Sequence, residues 1–374
     1  MKRIVIACDG TWNRLDAAFP TNVAKLARAV LPVGPGGVSQ ITCHLDGVGS
    51  GRGTGYLAQG VDRVLGGTLG LGLMTTLEEA YRFLVLTYAP GDEIHLLGFS
   101  RGAFMARSLA GLLRTSGILE RRNAPAIPDA IGLYRRRMAI GGADGQAAMA
   151  FRARLSAHVT TSPREADRRV ASGLTPGVPL AIAYLGVWDT VGALGIPSHF
   201  TLAARLNRGL AFHDTSLSRL VRAARHAVAI DERRRTFPPT LWANIRALNL
   251  GAGRLAYAQR WFPGDHASVG GGGPVTELSD DALVWIAEGA AAAGLALDQA
   301  ALTDWRQARN PFGPLRARPR PSILGRLLAL DTHDRTGPSR LAELAEAAVR
   351  RWHADPGYRP GSLRRLLPAL TRGR

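Results

Sequence analysis

Three residues stand in settings that acyl-transfer chemistry requires: Ser100, Asp189 and His266, in that chain order. Ser100 lies in Gly98-Phe99-Ser100-Arg101-Gly102, directly after the apolar run Ile94 to Leu97 and directly before an amphipathic stretch of helical period. Strand, sharp turn and helix with a serine at the apex is the pattern of a nucleophile elbow. The turn is so tight that a side chain at 98 or 102 would strike the neighbouring strand or helix, which accounts for both glycines. At a helix N-terminus the backbone dipole also favours developing negative charge. The bland alternative is a serine that caps the helix.

A nucleophilic serine needs a base, and the base needs an acid to fix its tautomer. Asp189 ends the apolar run Ala183-Tyr-Leu-Gly-Val-Trp-Asp-Thr, at the strand edge where ligand sites of parallel sheets gather. Its alternative is a carboxylate capping a turn. His266 stands in Trp261-Phe-Pro-Gly-Asp-His-Ala-Ser-Val, between Gly264 and the run Gly270 to Gly273, and its alternative is an ordinary loop histidine. An oxyanion hole takes one N–H from Arg101, after the nucleophile, and one from a loop after an early strand. Asp9-Gly10-Thr11-Trp12-Asn13 supplies that loop, with Gly10 or Thr11 as donor.

Other chemistries fit less well. Asp-Gly-Thr at 9–11 is similar to the phosphatase pattern Asp-x-Asp-Gly-Thr, but Ala7 stands where the nucleophilic aspartate would be. The loop Gly47 to Gly53 lacks the Gly-Lys-Ser/Thr ending of a nucleotide-binding loop. His95 reads as packed inside the elbow strand and His226, near Asp231, as part of a buried polar cluster at a strand end. His44, His199 and His213 are supporting groups at most, and no histidine shows metal-ligand spacing. Neither a metal nor a cofactor is expected.

These residues need a scaffold. Apolar runs at Arg3–Cys8, Val38–Leu45, Ile94–Leu97, Ala181–Val187, His226–Ile230 and Ala256–Trp261 alternate with helical stretches at Thr21–Val30 (capped by Thr21 or Asn22), Leu69–Tyr88 and the segment after Ser100. Continuous apolar strands alternating with helices imply an α/β fold with a mainly parallel sheet covered on both faces. Residues 118–178 and 198–225 break the rhythm and read either as helical lids near the site or as solvated insertions. Residues 311–322, rich in Pro and Arg, form a stiff connector. Ser339–Trp352 predicts an amphipathic helix, and Leu363–Arg374 a basic, partly apolar tail that is either frayed or rests on a membrane surface.

Composition narrows the class. A chain of 374 residues with 46% hydrophobic content can bury a large core. Cys8 and Cys43 are too few for a disulfide framework. Lys2-Arg3 precedes only a short apolar run, so no cleavable signal peptide is read, and no stretch approaches a membrane span. A cytoplasmic location, or export without a cleaved leader, follows as the expectation. The net charge is +18, but Lys2 and Lys25 are the only lysines among 47 basic residues. So strong an arginine skew, scattered along the chain without interleaved aromatics, reads as coding bias rather than a nucleic-acid face. The field still favours anionic surfaces, phospholipid headgroups among them.

Taken together, Cys8-Asp-Gly-Thr-Trp-Asn, Gly47-Val-Gly, Gly98-Phe-Ser-Arg-Gly-Ala, Gly186-Val-Trp-Asp-Thr-Val-Gly and Trp261-Phe-Pro-Gly-x-His, with His226-Ala-Val-Ala-Ile-Asp-Glu-Arg and Tyr358-Arg-Pro-Gly-Ser-Leu, mark a family. The chain resembles the α/β-hydrolase family called domain of unknown function 2235, which includes catalytic domains of type VI secretion phospholipase effectors. The resemblance runs over nearly the whole chain. It implies one α/β-hydrolase domain over 1–374, with helical insertions at 118–178 and 198–225 and a C-terminal helical segment at 323–374. It also implies a Ser100–Asp189–His266 hydrolase acting on phospholipid acyl esters. The family pattern continues His-Ser-Asp-Val-Gly-Gly-Gly-Tyr, whereas this chain has Ser268 in place of the acid and Gly273 in place of the aromatic. If that acid supports the site, as Asp9 and Asp231 could, activity or substrate choice differs here. The competing expectations are an esterase or thioesterase of small soluble acyl compounds, and an inactive basic scaffold that binds anionic partners.

Overall fold

The computed structural model describes residues 1–49, 66–192, 215–252, 256–315 and 333–371, with backbone alone for 66–71. Its centre is a six-stranded sheet of β1 (Arg3–Cys8), β2 (Gln40–Leu45), β3 (Glu93–Phe99), β6 (Ile182–Trp188), β7 (Ala224–Ala229) and β8 (Tyr257–Phe262). Two short strands, β4 (Val159–Thr160) and β5 (Val178–Pro179), pair separately. The large sheet has the order β2-β1-β3-β6-β7-β8, and every pairing in it is parallel. The predicted strands are all present, β1 with its expected ends and the others with ends moved by at most two residues.

Alternation along each strand divides the core between the two faces of the sheet. Ile4, Ile6, Ile94, Leu96, Leu185 and Val187 point to one side, where α2 (Gly66–Thr87) and α3 (Arg101–Ser116) cover them. Val5, Ala7, Leu97, Phe99, Tyr184 and Trp188 point to the other, under α1 (Asn22–Arg28) and the long Glu277–Ala292 helix. Thr21 caps α1 by accepting from the Ala24 N–H, so the helix starts where its sequence signal predicts and stops short of Val30.

The order places a topological switch between β1 and β3, since β1 leads outward to β2 and β3 leads the other way. Ligands of parallel sheets bind in the crevice at the carboxyl ends of such a pair. The loops there begin at Asp9 and Ser100.

Three of the sequence readings change. Residues 118–178 form α4 (Ile127–Arg135), α5 (Gln146–Leu155) and α6 (Pro163–Ala171) around the far end of α3. Ser116 Oγ donates to Ala130 O at 2.9 Å and Arg152 Nη1 to Thr115 O at 2.6 Å. Since α3 starts at the carboxyl end of the sheet and runs 16 residues, its far end, where these contacts fall, lies about 24 Å from the crevice. The region is neither a lid over the crevice nor a solvated arm. The expected Ser339–Trp352 helix is broken: Leu344 and Ala345 are extended, tied to Trp261 of β8, and the helix begins only at Glu346. Leu363, Leu366 and Leu370 of the tail are buried with Trp352 and Tyr358 against Val228 and Trp261, so the tail is neither frayed nor free to lie on a membrane as far as residue 371. Of the second insertion, residues 198–214 with His199 and His213 lie outside the described residues, as do Ser50 to Gly53 of the glycine loop, 316–322 of the connector, and 323–332 and 372–374 of the C-terminal segment.

What fixes the 118–178 region is a buried charge cluster. Arg152 Nε donates to both oxygens of Glu165 at 2.9 Å and Arg169 Nη2 donates to Oε1 at 2.6 Å. Burial pushes the Glu165 carboxyl up, but Arg152, Arg169 and the Thr161 N–H pull it below the usual range. Removing Glu165 leaves two buried guanidiniums without their counter-charge. Glu165→Ala is expected to lower unfolding free energy by about 3–5 kcal/mol in a denaturant titration while leaving the turnover of the folded fraction unchanged. A loss of turnover at equal folded fraction would place this region over the crevice after all.

Candidate active site

At the head of β3 the backbone turns sharply, and Ser100 adopts φ 57°, ψ −122°. Its side chain makes no capping hydrogen bond to α3, which removes the capping alternative. The glycines are sterically required. A Cβ on Gly98 would lie 2.7 Å from Ala103 Cα, and one on Gly102 would lie about 2.1 Å from Cys8 O and 2.4 Å from Asp9 O. The elbow therefore forms only because β1, β3 and α3 can touch through glycine.

Ser100 Oγ donates to His266 Nε2 at 2.8 Å, and His266 Nδ1 donates to Asp189 Oδ2 at 2.5 Å. The Nδ1–H facing a carboxylate leaves Nε2 as the acceptor, the tautomer that can take a proton from serine. The three residues come from the ends of β3, β6 and β8. His266 opens a short helix, His266–Gly270, which Asp265 caps by accepting from the Ser268 N–H at 2.8 Å. Its ring centroid lies 4.6 Å from that of Phe99 and 4.9 Å from that of Phe237, the latter pair T-shaped at 79°. Gly270 makes room for this packing, because a Cβ there would meet the Phe99 ring at about 2.0 Å.

Asp189 is fully buried and holds φ 37°. Trp12, Ser100 and Asp189 are the non-glycine residues of positive φ among the described residues, and all three belong to this crevice. Strain concentrated in this way is characteristic of sites whose geometry is held by their surroundings. Besides His266, Asp189 accepts from the Ala229 N–H at 3.0 Å and from both terminal nitrogens of Arg335, at 2.6 and 3.0 Å. Burial alone would raise its carboxyl, but Arg335 and His266 hold it well below the usual carboxylate range.

The oxyanion prediction needs one correction. Gly10 donates its N–H to Asp9 Oδ1 at 2.7 Å and cannot serve. The N–H groups of Thr11 and Arg101 meet no acceptor among the described residues, and both residues line the crevice. Asp9 shapes this loop, accepting from Gly10, from Thr21 Oγ1 at 2.8 and 2.9 Å, and contacting His44 at 3.3 Å. Asp231 supports the histidine loop instead, accepting from the Gly264 N–H at 2.7 Å and Tyr358 Oη at 2.9 Å, with its carboxyl raised by burial. Ser268 donates its hydroxyl to Asp265 at 2.8 Å, which is a capping role. His226 accepts from the Thr190 N–H at 3.2 Å and pairs with Gln259 at 3.0 Å, bracing the turn beyond Asp189. His95 is buried, and neither of its ring nitrogens has a partner among the described residues.

The crevice has a volume of about 1160 Å³ and is lined by Trp12, Phe237, Leu315, Trp352 and Leu367 with Arg101, Arg233, Arg234, Arg359 and Arg364. Arg335, Phe237 and the bidentate Glu232–Arg234 pair beside His266 are parts of the site that sequence reasoning missed. Phe237-Pro-Pro carried no periodic signal, and Arg335 sits among dozens of arginines.

A family model described as "T6SS, Phospholipase effector Tle1-like, catalytic domain" matches residues 2–289. The chain belongs to this Tle1-like family. An uncharacterized protein of Saccharomyces cerevisiae is 28% identical over 246 residues, covering 63% of this chain and 32% of that one. A crystal structure of an uncharacterized protein from Pseudomonas aeruginosa aligns at TM-score 0.42 and 17% identity, over 82% of this chain and 47% of that one. The Tle1 effector bound to the VgrG spike of the Type 6 secretion system aligns at TM-score 0.42 and 19% identity, over 74% and 52%. This Tle1-like chain thus spans 32% of the length of the curated relative it matches and 47% and 52% of the two solved structures.

Burial holds His226 and His95 neutral, each with its pKa lowered to about 3. Both have an ordinary value of 6.5 when exposed. Below that pH the unfolded chain binds protons that the native state refuses, so stability falls as pH falls, by about 1.4 kcal/mol per pH unit for each histidine. Denaturant titrations from about pH 7 to pH 5, above the range where Asp189 contributes, are expected to show stability falling with pH, and to show a shallower fall in His95→Leu.

Proposed function

We propose that this Tle1-like chain is a serine hydrolase of the α/β-hydrolase class that cleaves acyl esters, with phospholipid as its substrate class. The observation that carries the reading is the continuous hydrogen-bonded line from Ser100 through His266 to Asp189 at the switch point of the sheet. Ser100 Oγ attacks the acyl carbonyl while His266 Nε2 takes its proton. The imidazolium so formed faces the ionised Asp189. The N–H groups of Arg101 and Thr11 receive the oxyanion, where preorganised donors count most. His266 then returns the proton to the departing alcohol, and water, activated by the same histidine, opens the acyl-enzyme.

The substrate class rests on three supports: family membership, the crevice and its rim. A cavity of about 1160 Å³ with aromatic and leucine walls accommodates an acyl chain and headgroup together. Trp12 lines it and is 43% exposed, and Leu15 and Phe19 on the same loop are 38% and 53% exposed. Apolar side chains so placed let the mouth of the site rest at a lipid surface.

Fluorophosphonate is expected to label the wild type stoichiometrically and to leave Ser100→Ala unlabelled, and that variant is expected to lose at least roughly 10⁴-fold in turnover. Labelled phosphatidyl lipid should be hydrolysed faster above its critical micelle concentration. Equal rates on monomeric p-nitrophenyl esters and on lipid aggregates would favour an esterase of soluble substrates. Folded wild type that takes no label would end the hydrolase reading.

A further inference from the structure

The carboxylate of Asp189 has about four lone-pair positions, and four donors fill them. Oδ1 accepts from the Ala229 N–H at 3.0 Å and from Arg335 Nη1 at 2.6 Å, and Oδ2 accepts from His266 Nδ1 at 2.5 Å and from Arg335 Nη2 at 3.0 Å. Half of that set comes from one side chain. Arg335 also donates to Ala229 O at 2.9 Å and to Phe237 O at 2.7 Å, so its planar fork joins the end of β6, the end of β7 and the loop whose Phe237 ring packs on His266. An arginine serves here where a lysine would not, because the fork grips both oxygens in one plane.

Arg335 is itself held from both sides. Asp334 pairs with Arg233 at 3.1 Å and Arg364 at 3.7 Å, and the His333 N–H donates to Arg233 O at 2.9 Å. Gly337, at φ 73°, presses on Ser362 O, where a Cβ would come within 1.7 Å. Arg335 and, of these neighbours, His333, Asp334, Gly337, Ser362 and Arg364 lie beyond the 2–289 stretch matched by the family model, and Arg233 lies within it.

We propose that Arg335 is a positioning residue for the reaction, a guanidinium supplied from outside the matched catalytic stretch that locks the Asp189 carboxylate in the one orientation that serves His266. The inference rests on the hydrolase reading of Ser100, His266 and Asp189. It assigns Arg335 two effects. The first is geometric: with all four positions filled, the carboxylate cannot rotate away from Nδ1. The second is electrostatic: the positive charge offsets Asp189, so the carboxylate stays ionised without requiring a protonated His266 beside it. Among the described residues, the other charged and titratable groups facing this pair are His226, Glu232 and Arg234.

The two effects separate experimentally in the full chain. Arg335→Met removes both, Arg335→Lys keeps the charge and loses the fork, and Arg335→Ala leaves a space that added guanidinium ion can enter. Circular dichroism melts establish the folded fraction of each. Fluorophosphonate labelling rates and kcat/KM for a p-nitrophenyl ester are then measured against pH. Arg335→Met is expected to lose about 100-fold in kcat and in labelling rate, as for a misplaced catalytic group, with KM little changed. The acid limb of its profile should move to higher pH by about one unit, because an uncompensated carboxylate favours the protonated histidine. Arg335→Lys should keep the acid limb of the wild type with a loss of about tenfold, and guanidinium should restore activity to Arg335→Ala. Wild-type rates and profile in Arg335→Met would overturn the assignment while leaving the hydrolase reading intact. So would equal losses in all three variants with unshifted limbs and no rescue, since that is a merely structural role. Unlabelled wild type would overturn the hydrolase reading and this inference together.

Discussion

One buried negative charge organises the crevice. A carboxylate removed from water costs several kcal/mol unless donors replace its hydration, and Asp189 has no exposed surface. The donors must come from chain segments far apart in sequence: the Ala229 amide, the His266 ring and the Arg335 fork. Meeting that demand requires β6, β7 and β8 to end at the same level. It also requires the chain after the Gln299–Ala308 helix to return to the carboxyl edge of the sheet. The C-terminal core of Leu344, Trp352, Tyr358, Leu363 and Leu366 against Val228 and Trp261 is what secures that return. Burial of these apolar groups and ionisation of Asp189 are therefore coupled: loosening the C-terminal core withdraws Arg335 from the acid.

The nucleophile is positioned by a different constraint, close approach of backbones. Gly98 and Gly102 let β1, β3 and α3 meet within distances that no Cβ would permit. The same approach brings the loop after β1 beside the loop after β3, which is the geometry of the switch point. Asp9 then determines which amide of the first loop stays available. By taking the Gly10 N–H itself, it leaves Thr11 facing the crevice. Trp12, Ser100 and Asp189 carry positive φ as the joint consequence of these two constraints.

Much of this was legible in the sequence because the signals are local. Each of Ser100, Asp189 and His266 follows an apolar run that can only be a buried strand, and each has glycine near it. The inner strands β1, β3 and β6 read most clearly, because they are buried on both faces and so nearly continuously apolar, whereas β2 at the edge is partly exposed. Gly10 was misread as a donor because a side chain one residue away competes for its amide, which spacing does not reveal. The 118–178 region was placed near the site because it follows the elbow helix in sequence, but a helix carries the chain from one end of the sheet to the other before the insertion starts. The tail was misread through its charge. Leu363, Leu366 and Leu370 recur at helical spacing and mark a buried stripe, while Arg364 and Arg365 fall on the outer face. Arg335 had no local signal at all, since its partner lies 146 residues away and its type is the commonest polar residue of the chain.

The net charge of +18 would suggest that arginine recognises the substrate, yet the crevice distributes its arginines differently. Arg234 is bound to Glu232, Arg233 and Arg364 share Asp334, and Arg359 donates to Trp352 O, Asp355 O and Tyr358 O while stacking on Trp352 at 4.0 Å. Arg234 and Arg359 are thereby held to the wall, whereas Arg364, with its side chain 78% exposed, meets Asp334 only at 3.7 Å. Arg101 differs, with no hydrogen-bonding or ionic partner among the described residues and burial bringing its pKa down to about 10. A desolvated cation next to Ser100 gains most from an anion that replaces its lost hydration. On the proposed hydrolase reading, the long-range field would favour approach to an anionic surface, whereas Arg101 and the apolar walls would face the reacting centre. The two roles of positive charge are physically separate: salt would screen the first and leave the second largely intact.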